Sequence, residues 1–219
     1  MDVITSALSR FVHLIYLGGF LMVPIIICSF LAVAISYERL ISYKRAKIDT
    51  RRFLERILRL LREERDSEAY EISRSTPGPV AKVVEVGLLR KDQSLNELED
   101  SMREIGSFEI ARLEKYLPIL GTIAQITPLL GLLGTVTGMI EVFMRIENLG
   151  GNVIASDLAG GIWVALITTA AGLTVAIPTI VVYNFFTRTA DTFIGEINRA
   201  STELIEHLRS RKTGFKYQE

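Results

Sequence analysis

Apolar residues fall into three long runs, and stretches with apolar positions every three or four residues lie between and after them. The first run, 11–37, has 27 residues without a Lys, Arg, Asp or Glu. The second, 117–144, has 28 residues and one charge, Glu141. The third, 158–187, has 30 residues and none. About 20 apolar helical residues cross a bilayer core of roughly 30 Å, so each run predicts a transmembrane helix. The fold class is then an all-α integral membrane protein: three transmembrane helices with long cytoplasmic helical extensions. The predicted order is a periplasmic lead (1–10), helix 1 (11–37), a cytoplasmic helical segment (38–116), helix 2 (117–144), a periplasmic turn (145–157), helix 3 (158–187) and a cytoplasmic helical tail (188–219).

The spans differ in kind. The first is Ile, Leu, Val and Phe with little polar content, and Gly18, Gly19 and Pro24 would let it bend. Ala32-Val33-Ala34 resembles a signal cleavage site, but the run is too long for a signal core and only Arg10 precedes it as a basic residue. A retained, lipid-facing helix is expected, with Arg10 and His13 near the surface. The other two spans are punctuated by Thr122, Gln125, Thr127, Thr135, Thr137 and Glu141, and by Thr168, Thr169 and Thr174, with small residues between. That pattern suits a packed bundle with a polar interior.

In the segment after span one, Leu54, Ile57, Leu58 and Leu61 mark an amphipathic helix that continues the span. Its basic face suits anionic lipid heads or solvent. The stretch from Ser73 to Pro79 breaks it. A short apolar helix from Val80 to Leu89 follows. A charged helix from Leu95 to Tyr116, apolar at Leu98, Met102, Ile105, Phe108 and Leu113, then runs straight into span two. The tail continues span three with Phe193, Ile197, Leu204, Ile205 and Leu208 on its apolar side.

Charge sets the orientation. Residues 38–116 hold 17 of the 25 Lys and Arg, the tail from Arg188 six, the 145–157 turn one and the lead one. Lys and Arg collect on the cytoplasmic side. The N-terminus is therefore expected outside, with the middle segment and tail in the cytoplasm. The chain is 49% hydrophobic with zero net charge and mean hydropathy +0.31; no basic stripe beside aromatics suggests nucleic acid. The lone Cys28 has no partner for a disulfide or metal site. No phosphate loop, His/Cys cluster or nucleophile–base pair is visible, so neither an enzyme nor a cofactor is expected. Three unlike spans do not suit a transporter built of repeats.

Spans two and three run antiparallel. Thr135 lies nine residues before Met144 and Thr169 eleven after Leu158, depths of roughly 14 and 17 Å. Both hydroxyls reach mid-membrane and can line one seam. Thr168 faces roughly 100° away from Thr169. Packing alone also explains a Gly134–Gly138 pair and ridges at Gly161, Ala165 and Thr169 and at Thr168, Gly172 and Ala176. Conduction and packing both fit the threonines. Glu141, nearer the outside, suits the mouth of a path, with Arg145 as its candidate partner.

At LPILGTIAQITPLLGLLGTVTGMIEVF (117–143) and GGIWVALITTAAGLTVAIPTIVVYNFF (160–186) the chain resembles the ExbB/TolQ proton-channel subunits, relatives of the flagellar stator protein MotA. ERLISYKRAKID after span one resembles the family too. The resemblance implies an inner-membrane pentamer enclosing the single spans of a dimeric ExbD/TolR-like partner, whose aspartate takes up and releases the ion. It assigns facing threonines to Thr135 in GTVTG and Thr169 in TTAAG, and passes the work on through a TonB- or TolA-like protein. The transported ion is expected to be H+, with Na+ the alternative that the tandem Thr168-Thr169 raises. Many members carry a glutamate in span three where this chain has Val164, and Glu141 is the expected replacement across the helix pair. The competing class is a non-conducting membrane scaffold.

Overall fold

The structure is a computed structural model that describes residues 19–149 and 154–214. The predicted lead with Arg10, residues 11–18 with His13 and Gly18, part of the 145–157 turn and the end of the tail lie outside the described residues. Among the described residues seven helices follow in order: α1 (Met22–Ala46), α2 (Thr50–Arg62), α3 (Asp66–Ser75), α4 (Pro79–Leu89), α5 (Leu95–Glu114), α6 (Leu117–Asn148) and α7 (Ala155–Thr213). Among the described residues three helices are long and apolar enough to cross a membrane. The chain divides into two compact units, Met1–Tyr37 with Tyr116–Asn184, and Glu38–Lys115 with Phe185–Glu219.

The first described helix of the first unit is α1. Gly19 has φ +68° and the chain turns there, so α1 begins at Met22. Pro24 then falls in the first turn, where its missing N–H costs nothing, and it does not bend the helix. A narrow stripe of Met22, Ile25, Cys28 and Ala32 is buried, while Phe20, Ile27, Phe30 and Val33 are exposed. α6 ends at Asn148 and α7 begins at Ala155. α7 runs from span to tail as one 59-residue helix.

The second unit breaks where continuous helix was expected. α1 stops at Ala46, and Asp49 caps α2 by accepting the Arg52 N–H at 3.1 Å. A caps-and-turn solution wins here because an acceptor at that position satisfies a donor the helix start would leave bare. Glu64, at φ 60°, ends α2 before α3. The predicted break near Pro79 is present: Gly78 has φ +110°, and a Cβ there would lie 2.6 Å from the Ala46 carbonyl oxygen. α5 opens on a capping box of Ser94 and Glu97 and does not run into α6. Pro118 has no N–H for the Glu114 carbonyl and its ring would strike it. The chain instead turns at Tyr116, φ 72°. The freed carbonyls of Arg112 and Leu113 accept from Arg39 Nη1 at 2.9 and 3.1 Å, and Leu113 also accepts from the Tyr43 hydroxyl at 2.7 Å.

The unit's core joins Leu54, Ile57 and Leu61 of α2, Val80, Val83 and Val84 of α4, Leu98 and Met102 of α5, and Phe193, Ile197, Leu204 and Leu208 of α7. Leu58, Ile105 and Ile205 are half-buried, and Phe108, expected on the apolar side, is 76% exposed. At Gly87 a Cβ would sit 2.7 Å from Leu204 and 2.9 Å from Met102 Sδ, a measure of how closely α4, α5 and α7 approach. Asp66 joins elements distant in sequence, pairing with Lys91 at 2.5 Å and Arg211 at 2.8 Å. Burial opposes its charge, but hydrogen bonds from Lys91 and Arg211 prevail and hold the carboxyl below its usual range.

Candidate functional site: the seam between α6 and α7

Small residues recur at three- and four-residue spacing on both helices: Ala124, Thr127, Gly131, Gly134 and Gly138 on α6, and Gly161, Ala165, Thr168, Gly172 and Ala176 on α7. All are buried except Gly161, which is half-buried. Side chains this small let two backbones close to contact, the means of association when lipid supplies no hydrophobic force. A Cβ at Gly134 would lie 2.0 Å from Thr168 Oγ1. One at Gly138 would lie 2.8 Å from the Gly161 oxygen, and one at Gly172 2.6 Å from the Thr127 oxygen. The α7 ridge facing α6 thus takes Gly161 and Ala165 from one predicted row and Thr168, Gly172 and Ala176 from the other. Residues alternating at four- and three-residue spacing form one nearly continuous stripe along a helix.

The hydroxyls divide sharply. Those of Thr122, Thr127, Thr135, Thr137, Thr168, Thr174 and Thr179 each donate to a carbonyl three or four residues back in their own helix. Thr169 is different: its Oγ1 donates across the seam to the Gly131 carbonyl at 2.8 Å. That same carbonyl is the helical acceptor for the Thr135 N–H, four residues on. Thr135 and Thr169 are therefore tied to one peptide oxygen. Both are half-buried, so each keeps an open side. Thr168 is fully buried, donating to the carbonyls of Val164 and Ala165 at 2.9 and 3.0 Å and seated against Gly134.

Glu141 is exposed and lines a groove of about 530 Å³ with Val142, Arg145, Ala159, Gly160, Gly161, Trp163 and Val164. The structure thus brings the acid of helix 2 and the valine of helix 3 to the walls of one groove, with Arg145 beside them. Among the described residues no His/Cys/Asp/Glu cluster could hold a metal.

Gly131 and Pro128 were not singled out from sequence. Gly131 is the acceptor of the Thr169 bond across the seam, and its signal was the three-four spacing with Thr127 and Gly134. Pro128, inside α6, has no N–H for the Ala124 carbonyl one turn back.

Comparison with known proteins gives one consistent result. The model of the MotA/TolQ/ExbB proton channel family matches residues 75–199. The biopolymer transport protein ExbB-like 3 of Synechocystis is 30% identical over 171 residues, 77% of this chain and 81% of that protein. An ExbB homolog of Methanothermobacter thermautotrophicus is 37% identical over 119 residues, 54% of this chain and 42% of its own length. The Tol-Pal system protein TolQ of Pseudomonas aeruginosa is 36% identical over 104 residues, 48% of this chain and 45% of its own. The chain spans less than half the length of these last two.

Proposed function

The chain belongs to the MotA/TolQ/ExbB proton channel family, and from that premise we propose that it is the channel or stator subunit of an inner-membrane motor. In this reading copies of the chain form a ring, a pentamer, around the single spans of an ExbD/TolR-like dimer. Proton motive force, with sodium as the alternative ion, drives movement of ring against dimer. A TonB- or TolA-like protein carries the work toward the outer membrane or envelope. The N-terminus faces the periplasm and the C-terminus the cytoplasm, as the Lys/Arg distribution requires.

The observation that supports it best is the shared Gly131 carbonyl. Two threonines from different helices are tied to one oxygen while each keeps an open side. A pure packing seam needs no such arrangement, since Thr168 packs fully buried one residue away. The described spans hold no acid near this pair, so a titrating carboxyl has to come from the partner. Thr168 is buried against Gly134, so its oxygen is not turned to the open side of Thr135 and Thr169, which favours a proton over a bare cation needing several oxygen ligands. Glu141, across the groove from Val164, stands in this reading for the missing helix 3 acid at the outer mouth.

The test is ion-dependent activity in membranes, with the chain and its co-encoded single-span partner co-expressed, in sodium and in sodium-free medium. Thr135→Val and Thr169→Val keep shape and remove the hydroxyl. Both are expected to assemble and lose activity, and Glu141→Gln to lose part of it. Full activity in both valine variants would leave the scaffold reading standing, and dependence on sodium would name the other ion.

A further inference from the structure

Helices α2 to α5 of the second unit pack as successive pairs, α2 on α3, α3 on α4 and α4 on α5. α2 and α5 are the two ends of that series, and each turns a face outward. On α2 that face carries exposed Arg52, Arg56 and Arg59 at i, i+4 and i+7. On α5 it carries exposed Glu97, Asp100, Glu104 and Phe108 at i, i+3, i+7 and i+11. Other charges nearby are already engaged: Glu55 with Arg51, Glu63 with Arg65, Arg103 with Glu99 and Arg112 with Glu109. Among the described residues Arg56, Arg59, Asp100 and Glu104 have no ion pair. Arg52 to Arg59 and Glu97 to Glu104 both span seven residues, about 10.5 Å of helix. Phe108, 76% exposed, extends the acidic face with a ring on which a guanidinium can stack.

We propose that the α2 arginine face of one copy of this chain docks on the α5 face of the next copy. Opposite charge and equal stripe length match the two faces, and their place at opposite ends of the helix series makes the contact head-to-tail. Such a contact uses two different surfaces, so it propagates and closes into a ring when the rotation between copies permits. The two helices lie side by side in the same direction, so that Arg56 faces Asp100 and Arg59 faces Glu104, with Arg52, which also pairs with Asp49, at the level of Glu97. The inference rests on the oligomeric part of the proposed function and not on ion flow, so its test reads contact with no ion gradient.

The experiment is cross-linking between two full-length variants co-expressed in membranes with different affinity tags, both in a Cys28→Ala background. One carries Arg56→Cys or Arg59→Cys, the other Asp100→Cys or Glu104→Cys. Mild oxidation is expected to give a dimer bearing both tags. When position 59 is linked to position 104, Arg56→Glu on the first chain lowers that yield about two- to fivefold, and Asp100→Arg on the second restores it. High salt lowers it as well. No mixed-tag dimer while the two variants still co-purify would overturn the proposal. So would equally efficient linking of Arg59→Cys to itself, the mark of a two-fold contact. Protection of Arg56→Cys and Arg59→Cys from a soluble maleimide that depends on phosphatidylglycerol in the bilayer, with no cross-link formed, would overturn the proposal and assign the face to anionic lipid.

Discussion

Gly134→Ala is the substitution that most directly tests how the seam is built. The new Cβ would lie 2.0 Å from Thr168 Oγ1, 2.5 Å from its Cβ and 3.1 Å from its Cγ2. To regain ordinary contact the helices must part by more than about 1 Å, which forfeits a quarter to a half of the local dispersion energy. Overpacking of this kind costs about 1–3 kcal/mol. The Thr169–Gly131 bond, 2.8 Å in the parent, would open past hydrogen-bond range, losing about 0.6–1 kcal/mol more. Alanine's helix propensity returns about 1 kcal/mol. The net expectation is a loss of about 0.6–3 kcal/mol. It can be read by SDS titration of the protein in mixed micelles, following the emission of Trp163, the single tryptophan. Thr168→Gly in the same chain removes every clashing atom and should restore most of the loss. Thr168→Ala should restore less, because its Cβ stays 2.5 Å from the new methyl. Ion-driven activity should follow the same order, since Thr135 and Thr169 lose their common anchor when the seam opens. A Gly134→Ala chain within about 0.5 kcal/mol of the parent, or one that Thr168→Gly fails to rescue, would refute the reasoning.

Arg39, only 2% exposed, supports the last turn of α5, and Arg39→Met should cost about 2–4 kcal/mol, since two carbonyls lose a charged donor. Trypsin cleavage after Lys115 should quicken in that variant, and Arg39→Lys, which cannot reach both carbonyls and Glu38 together, should fall between. Burial, then the nearby charges of Arg62 and Arg211, hold the His207 imidazole below its usual value, with Asp66 opposing. A depressed value means the folded chain prefers the neutral ring, so its contribution is present above about pH 6.5 and is lost as pH falls through the folded value. The melting temperature should therefore drop between pH 7.5 and 5.5, and His207→Gln should flatten that slope. Asp66, also depressed, adds a second decline only nearer and below pH 4.

The parts of this protein legible in its sequence are those governed by local rules. Long uncharged runs announce spans because lipid cannot solvate charge. Gly78 and Pro79 announce a break because few backbones accommodate them. The burial of Ile57, Leu98, Ile197 and Leu204 follows from helical spacing, as does the pairing of small residues along α6 and α7. Even so, the same spacing placed Phe108 inside, and the structure turns it out, because amphipathic period says which residues share a face and not how wide a neighbour covers it. The breaks at residues 47–49, 63–65 and 115–116 escaped as well. They depend on Asp49 finding the Arg52 N–H, on a left-handed Glu64, and on a guanidinium 73 residues away from the carbonyl it caps. Tertiary structure alone decided which threonine reaches across the seam. Thr168 and Thr169 are adjacent and chemically identical, and only the approach of Gly131 and Gly134 buries one and gives the other a carbonyl on the opposite helix. Glu141 and Val164 share a groove for the same reason: an antiparallel pair of helices in contact brings together residues 23 positions apart, and that contact is a property of the packed backbones rather than of either segment.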